Sequence, residues 1–284
     1  MDSMIRNVKL GFRINDFDRK QYVKVLDLIK ENDLTTVCIE ANCPNRYECF
    51  SKKTVTFMIL GDVCTRNCQY CNIKKGVPQR VDENEPEKIA LAIKKLSLSY
   101  AVITCVTRDD LEDGGANQFV ETVLKIREIN PKCKVELLIS DLGRNWDALK
   151  KIVECRPDVI NHNIEVVKDF FNELRPNGNY EMSLELLRNV KEFDSDIKTK
   201  SGLMIGFGEN MEQISNTISD LKKNGCDILT IGQYLQPSQD HFKVKKIYSK
   251  KEFDKISEIA KETGFEKIAC GSLVRSSYQA GDLL

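Results

Sequence analysis

Three cysteines crowd the stretch CTRNCQYC, at Cys64, Cys68 and Cys71. Their spacing, C-x3-C-x2-C, gathers three soft sulfur donors on one short loop. Such donors suit iron in a sulfide cluster. Three of them can bind three irons of a four-iron cubane and leave the fourth open to another ligand. A second set, Cys38, Cys43 and Cys49, lies just upstream in CIEANCPNRYEC with the spacing C-x4-C-x5-C. That spacing differs from the common paired-cysteine zinc patterns. Zinc is the plainer alternative for the first trio, but a structural zinc site wants a fourth protein ligand. The chain has eleven cysteines, and Cys105, Cys133, Cys155, Cys226 and Cys270 read as ordinary buried thiols. The opening MDSMIRNVKLGFRINDFDRK does not read as a secretory leader. Six thiols between Cys38 and Cys71 therefore point to metal ligation rather than disulfides.

Repeated α/β units are expected to position these loops. Residues 1–52 read as a polar, loop-rich extension that carries the second cysteine set. The β-branched, apolar run TVTFMILG (54–61) reads as a buried strand leading directly into Cys64. EPEKIALAIKKL (85–96) has helical spacing, with Asn84 as a candidate cap and Pro86 in the first turn. Further strands are expected at 100–106, 134–139, 158–164, 199–207 and 227–233. Helices are expected at 117–129, 145–154, 180–193, 211–224 and 251–263. Strands alternating with helices imply parallel βαβ units. Six such strands fit a partial or open TIM barrel with helices outside, and a doubly wound sheet is the alternative. The expected organisation is an extension over 1–52, a core over 53–265 and a C-terminal segment over 266–284.

The first cysteine spacing, placed directly after the first strand, resembles the radical S-adenosylmethionine superfamily. With the second set added, the chain resembles the lipoyl synthase family, whose auxiliary cluster takes cysteines in this order and a serine near the C-terminus. In LVRSSYQAGDLL the family ligand falls on Ser276, with Ser277 as the fallback and Arg275 beside them. The resemblance continues through TRDDLEDGGA, PDVINHNIEVV, TKSGLMIGFGE and LTIGQYLQPSQDH, in order along most of the chain. It departs at Ile39, Cys105, Ser272 and Gln279, where the family favours other residues, but no proposed cluster ligand is affected.

The resemblance implies two [4Fe-4S] clusters. Cys64, Cys68 and Cys71 would hold the one that cleaves S-adenosylmethionine. Cys38, Cys43, Cys49 and Ser276 would hold the one that gives up sulfur. Tyr70, Glu136, Gly202, Gly206 and Glu209 match positions that approach the cosubstrate. Arg108, Asp109 and Asp110 are expected to shape the mouth, and His162, His241, Asn161 and Asn163 to lie near it. The implied reaction inserts sulfur at carbons 6 and 8 of an octanoyl group on a carrier lysine. The implied carriers are the glycine-cleavage H protein and the lipoyl domains of 2-oxoacid dehydrogenases. A ferredoxin or flavodoxin reductant and an iron–sulfur assembly carrier are also implied. Lys plus Arg and Asp plus Glu number 43 each, so no global charge draws the chain to nucleic acid or an anionic membrane. A cytoplasmic monomer is the default expectation. Other radical sulfur-insertion or methylthiolation enzymes, and an iron–sulfur carrier or scaffold, are the alternative readings.

Overall fold

The computed structural model of the chain describes residues 16–284, so the first part of the expected N-terminal extension lies outside the described residues. Where an irregular layer was expected, the described part opens with a helix, α1 (Asp16–Glu31). Asp16 and Asp18 sit in its first turn and Lys30 in its last, as the helix dipole favours. Its buried stripe is narrow: Val25 and Ile29, one turn apart, with Tyr22 set 4.9 Å from the Tyr47 ring. So thin a stripe in a polar segment leaves little periodicity to read. Two short helices follow, α2 (Val37–Glu40) and α3 (Arg46–Ser51).

The alternating part then runs β1 (Thr56–Ile59), β2 (Val63–Cys64), β3 (Lys74–Lys75), α4 (Glu85–Leu96), β4 (Tyr100–Cys105), α5 (Ala116–Ile129), β5 (Lys134–Leu138) and α6 (Trp146–Glu154). It continues with β6 (Val159–Asn161), α7 (Phe171–Leu174), α8 (Tyr180–Phe193), β7 (Lys198–Ile205), α9 (Met211–Lys223), β8 (Ile228–Gln233), α10 (Lys250–Glu262) and β9 (Lys267–Gly271). Local chemistry sets several helix starts. Asn179, Asn210 and Ser249 each accept a backbone N–H at a helix start, and the last two complete capping boxes. Such a cap contributes about 1 kcal/mol. Asn84 holds the expected position before α4, but its side chain does not cap.

Seven strands form one parallel sheet in the order β1-β4-β5-β6-β7-β8-β9. A doubly wound sheet reverses its strand order at a switch point. Here the order follows the chain throughout, so right-handed crossovers lay the helices that connect its strands on the same face. The sheet curls around its other face into an open barrel, with β1 and β9 at its edges. The seventh strand, β9, lies in the stretch read from sequence as the C-terminal segment. It is short and half-buried, which gave the sequence pattern little to register. Ile103, Val135, Phe119 and Leu149 belong to one apolar cluster between sheet and helices, and Leu203, Leu229, Ile218 and Ile256 to a second. Each such side chain contributes about 1.5–3 kcal/mol on burial.

Glu136 departs from expectation. It is the middle residue of β5, level through Val102 with Thr56 at the start of β1, whereas the cysteine loops follow the last residue of β1. Lys200 Nζ donates to its two oxygens at 3.0 and 3.1 Å, and both side chains are fully buried. Tyr100 Oη and Asn161 Nδ2 donate to the same carboxylate at 2.6 and 3.0 Å. A carboxylate so fully engaged is a structural tie across the barrel floor, not a ribose contact. Lys200→Met, which strands this charge, is expected to cost about 3–5 kcal/mol in urea unfolding. Adding Glu136→Gln, which removes the charge and keeps hydrogen-bonding atoms for Tyr100 and Asn161, is expected to recover most of it.

Candidate functional site

The CTRNCQYC loop leaves β1 and is fixed at several points. Cys64 stands in β2, whose two-residue ladder pairs Val63 with Lys74 and Cys64 with Lys75. The Gln69 backbone is held on both sides: its N–H donates to Leu174 O at 2.9 Å, and its carbonyl accepts from Phe242 N at 3.0 Å. His241 Nε2 lies 3.0 Å from the Cys71 carbonyl, and its Nδ1 lies 2.8 Å from Ser238 Oγ. The strongest restraint is Arg66, which the sequence reading passed over. Its guanidinium donates to Asp109 at 2.7 and 2.9 Å and to Asp141 at 2.6 and 2.7 Å. Burial alone would lower the Arg66 pKa, but its hydrogen bonds to these two carboxylates carry it above its ordinary value. Arg66 also donates its backbone N–H to Cys64 Sγ at 3.4 Å. Asp109 and Asp110, read as shaping the mouth, are engaged by Arg66 and Arg108 respectively.

The Cys71 thiol is pushed up to about 12, chiefly by burial, with Cys68 and Cys64 adding to the shift. Cys68 is raised by burial and partly relieved by Arg175. In the second set, burial pushes Cys49 to about 12, with Cys38 and Cys43 adding, and Cys38 to about 11. Thiols in this state are protonated at neutral pH, and binding a metal group would displace their protons. Among the described residues, no three His, Cys, Asp or Glu side chains converge tightly enough for a single ion. The chemistry of the donors, thiols in two mutually sensing sets, fits iron–sulfur groups.

The second set is built by α2, α3 and the turn between them. Cys43 N donates to Cys38 O at 3.1 Å, and Thr54 N to Cys49 O at 2.8 Å. The far end of the chain lies against it. Asn45 Nδ2 donates to Leu273 O at 2.6 Å, and Tyr278 Oη donates to the Glu48 carboxylate at 3.1 Å. Burial lowers the Arg275 pKa, partly offset by Cys43. Gly232 in β8 makes this approach possible, because a Cβ there would stand 2.1 Å from Val274 O. The sequence reading did not single out Gly232, since the crossing is between distant segments. The two cysteine loops also touch: Asn72 Nδ2 donates to Glu40 O at 2.8 Å.

Asn163 lies between Ser276 and the end of β7. Its Nδ2 donates to Ser276 Oγ at 3.3 Å and to Glu165 Oε1 at 3.1 Å. Its Oδ1, like that of Asn161, is buried without a hydrogen-bond partner. Gly202 faces it, where a Cβ would come within 2.7 Å of that oxygen. Gly206 has φ +127°, and a Cβ there would fall 2.3 Å from Gln233 Nε2. Tyr70 packs edge-on to Phe207 at 6.3 Å, joining the cysteine loop to this glycine turn. Glu209, expected near the cosubstrate, is engaged by the turn it follows. Its carboxylate accepts from Gly206 N and Phe207 N at 2.6 and 3.0 Å and from Tyr248 Oη at 2.9 Å, closing the turn on itself. Glu165 and Arg175 were overlooked, yet both act electrostatically on Cys68 and Tyr70.

A family model described as the Radical SAM superfamily matches residues 58–221. A lipoyl synthase of Caldicellulosiruptor saccharolyticus is 51% identical over 257 residues, covering 90% of this chain and 90% of the relative. The lipoyl synthase of Alkaliphilus metalliredigens is 48% identical over 275 residues, covering 97% and 94%. The chain belongs to the lipoyl synthases. Membership makes it a radical S-adenosylmethionine enzyme and a sulfurtransferase, and it implies iron–sulfur chemistry. The fold is also that of methylornithine synthase, with a TM-score of 0.55 and 13% identity over 93% of this chain and 80% of the other. The hydrogenase maturase HydG superposes with a TM-score of 0.56 and 13% identity, over 90% and 73%. Among the described residues of this lipoyl synthase, no helix is long and apolar enough to cross a membrane.

The two histidines differ in placement. His241 braces the cysteine loop, whereas His162 is buried, with Nδ1 donating to Ile139 O at 3.0 Å and Nε2 accepting from Ser183 Oγ at 3.1 Å. Burial, reinforced by Arg175, lowers the His162 pKa to about 4. Between this value and about 6.5 the unfolded chain binds the extra proton, so stability falls as pH drops through that window, by about 3 kcal/mol in all. Unfolding titrations are expected to show this loss, and His162→Gln to flatten it. Gly232→Ala is expected to lift the Val274–Tyr278 crossing off β8, read as faster hydrogen exchange at Tyr278 with the β7–β8 amides unchanged.

Proposed function

We propose that this lipoyl synthase inserts two sulfur atoms, at carbons 6 and 8, into an octanoyl group on the lysine of a carrier domain. The observation that carries the reading is that both cysteine loops and the RSSY segment meet at one barrel mouth, tied by Asn72 to Glu40 and Asn45 to Leu273. In this reading Cys64, Cys68 and Cys71 hold one [4Fe-4S] cluster, and Cys38, Cys43, Cys49 and Ser276 hold another. Residues 1–52 and 266–284 then serve as flanks that complete the second site around a core of 53–265. When bound, the first cluster supplies the electron that cleaves S-adenosylmethionine and the second supplies the sulfur.

The chain's own residues position the reactants. Arg66 holds the first cysteine loop against the ends of β4 and β5, and His241 braces the Cys71 carbonyl. Tyr70 offers the cosubstrate a ring, while Gly202 and Gly206 offer backbone that can be approached closely. The unpartnered Oδ1 atoms of Asn161 and Asn163 accept hydrogen bonds from donor groups of the cosubstrate or the acyl-lysine amide, which removes the cost of leaving them buried and unpaired. The Asn163 amide, donating to Ser276 Oγ, orients the hydroxyl. An oxygen is a poorer partner than thiolate for soft iron, so Ser276 is the ligand released most readily. Glu136 and Glu209 support the frame and contact neither reactant.

The carrier is the glycine-cleavage H protein or a 2-oxoacid dehydrogenase lipoyl domain, with ferredoxin or flavodoxin as reductant and an iron–sulfur carrier to reload the second site. A concave mouth suits a long acyl-lysine arm whose domain stays outside. The test is anaerobic mass spectrometry of an octanoyl-lysine carrier incubated with reconstituted protein, reductant and S-adenosylmethionine. A dithiol product with two equivalents of 5′-deoxyadenosine supports the reading. Adenosylmethionine cleavage without sulfur addition to any carrier would sink it in favour of another radical enzyme. Ser276→Ala is expected to keep 5′-deoxyadenosine formation and lose sulfur insertion. Asn163→Ala is expected to lower sulfur insertion by about 10–100-fold, the usual effect of losing a support behind a metal ligand.

A further inference from the structure

The connection from β8 to α10, residues 234–249, has no regular secondary structure. Irregular loops of this length inside a compact domain are uncommon and usually functional. This one is firmly pinned. Tyr234 Oη donates to Phe242 O at 2.8 Å, Lys245 N to Gly206 O at 2.8 Å, and Tyr248 N to Gln233 Oε1 at 2.9 Å. Gln233 Nε2 donates to Lys246 O at 3.0 Å. Through Phe242 and His241 the loop also grips the backbone of Gln69 and Cys71. It is a fixed wall of the mouth, directly beside the first cysteine set.

Its outer face is chemically distinct. Residues 241–251 contain five lysines and no acidic residue, although the chain as a whole is neutral. Lys243, Lys245, Lys246, Lys250 and Lys251 are all exposed. Ile247, in their midst, is 74% exposed, an apolar side chain that packing alone would have buried. Lys246 pairs with Glu252 and Lys250 with Asp254. Among the described residues, Lys243 and Lys251 have no acidic partner within 4.0 Å. Lys250 and Lys251 occupy the first turn of α10, where the helix dipole disfavours cations. Local pairing accounts for Lys246 and Lys250 but leaves Lys243 and Lys251 without a charge partner. An exposed apolar side chain flanked along the chain by exposed lysines, on a firmly pinned loop, has the features of a docking face.

We propose that this lysine ridge, centred on Ile247, docks an acidic protein domain: the folded carrier whose acyl-lysine arm enters the adjacent mouth. The inference rests on the reading that the substrate is carrier-borne. The charges steer and orient the domain, and Ile247 supplies the apolar contact. The ridge adds nothing to recognition of the arm itself.

The test compares wild type with the double variant Lys243→Glu, Lys245→Glu on two substrates: an octanoylated acidic carrier domain and a short uncharged octanoyl-lysine peptide. At low salt the KM for the carrier is expected to rise about tenfold or more with kcat unchanged, and that for the peptide to stay within about twofold. Raising salt is expected to weaken the wild type towards the variant. Equal effects on both substrates, or a carrier KM indifferent to salt and to the variant, would overturn the docking face. Anisotropy of a labelled carrier domain, measured without turnover, reads docking even if no sulfur is inserted, so the two readings fail separately. Wild-type binding of a DNA duplex as tight as that of the carrier would overturn the assignment and give the ridge to nucleic acid.

Discussion

The guanidinium of Arg66, gripped by Asp109 and Asp141, is the restraint on which the mouth depends. The loop that carries Cys64, Cys68 and Cys71 has only a two-residue ladder of its own. Without an outside anchor, its thiols would sample many arrangements. Arg66 ties that loop to the ends of two neighbouring strands, since Asp109 follows β4 and Asp141 follows β5. The planar fork of arginine meets two carboxylates at once, which a lysine would not do. Asp141 is 5% exposed, so the pair is shielded from salt and water. Its carboxyl would be raised by burial but is held below its ordinary value by the hydrogen bond and charge of Arg66.

The opposite end of the barrel uses the same device for another purpose. Glu136 and Lys200 close the floor with a fully buried ion pair, and Tyr100 and Asn161 satisfy the remaining lone pairs. Between floor and mouth, the interior side of the sheet presents Asn161 and Asn163, whose oxygens are left without protein partners. In the glycine turn after β7, Glu209 supplies acceptors to the backbone so that Gly206 can keep a conformation other residues avoid.

Much of this was legible in the sequence, for definable reasons. The helices at 85–96 and 180–193 were read with the ends the structure gives them, because proline, cap residues and apolar spacing are local signals. The strands of the main sheet through β8 were legible from their apolar, β-branched runs, whereas the two-residue strands β2 and β3 carried no such signal. What escaped depends on distant partners. Glu136 and Glu209 were expected near the cosubstrate from the family resemblance, and the hydrogen bonds that engage them come from partners the resemblance does not name. Lys200, the partner of Glu136, is 64 positions away. Arg66 stood inside the motif but showed its role only with Asp141 beside it. Gly232 looked like any strand glycine until Val274 was placed over it. α1 and β9 were missed because each buries little, one through a thin stripe and the other as a half-covered edge.

The contacts from Asn45 to Leu273 and from Glu48 to Tyr278 join residues 228 and 230 positions apart. On a ribosome, the cysteines near residue 40 emerge well before the segment that covers them, which is made about 230 residues later. The surroundings of the second cysteine set are thus complete only once the segment with Leu273 and Tyr278 has docked. Closing so long a loop late in folding ties the integrity of this corner to an intact tail. A copy cut before Leu273 would lose the contacts to Asn45 and Glu48 that cover this corner.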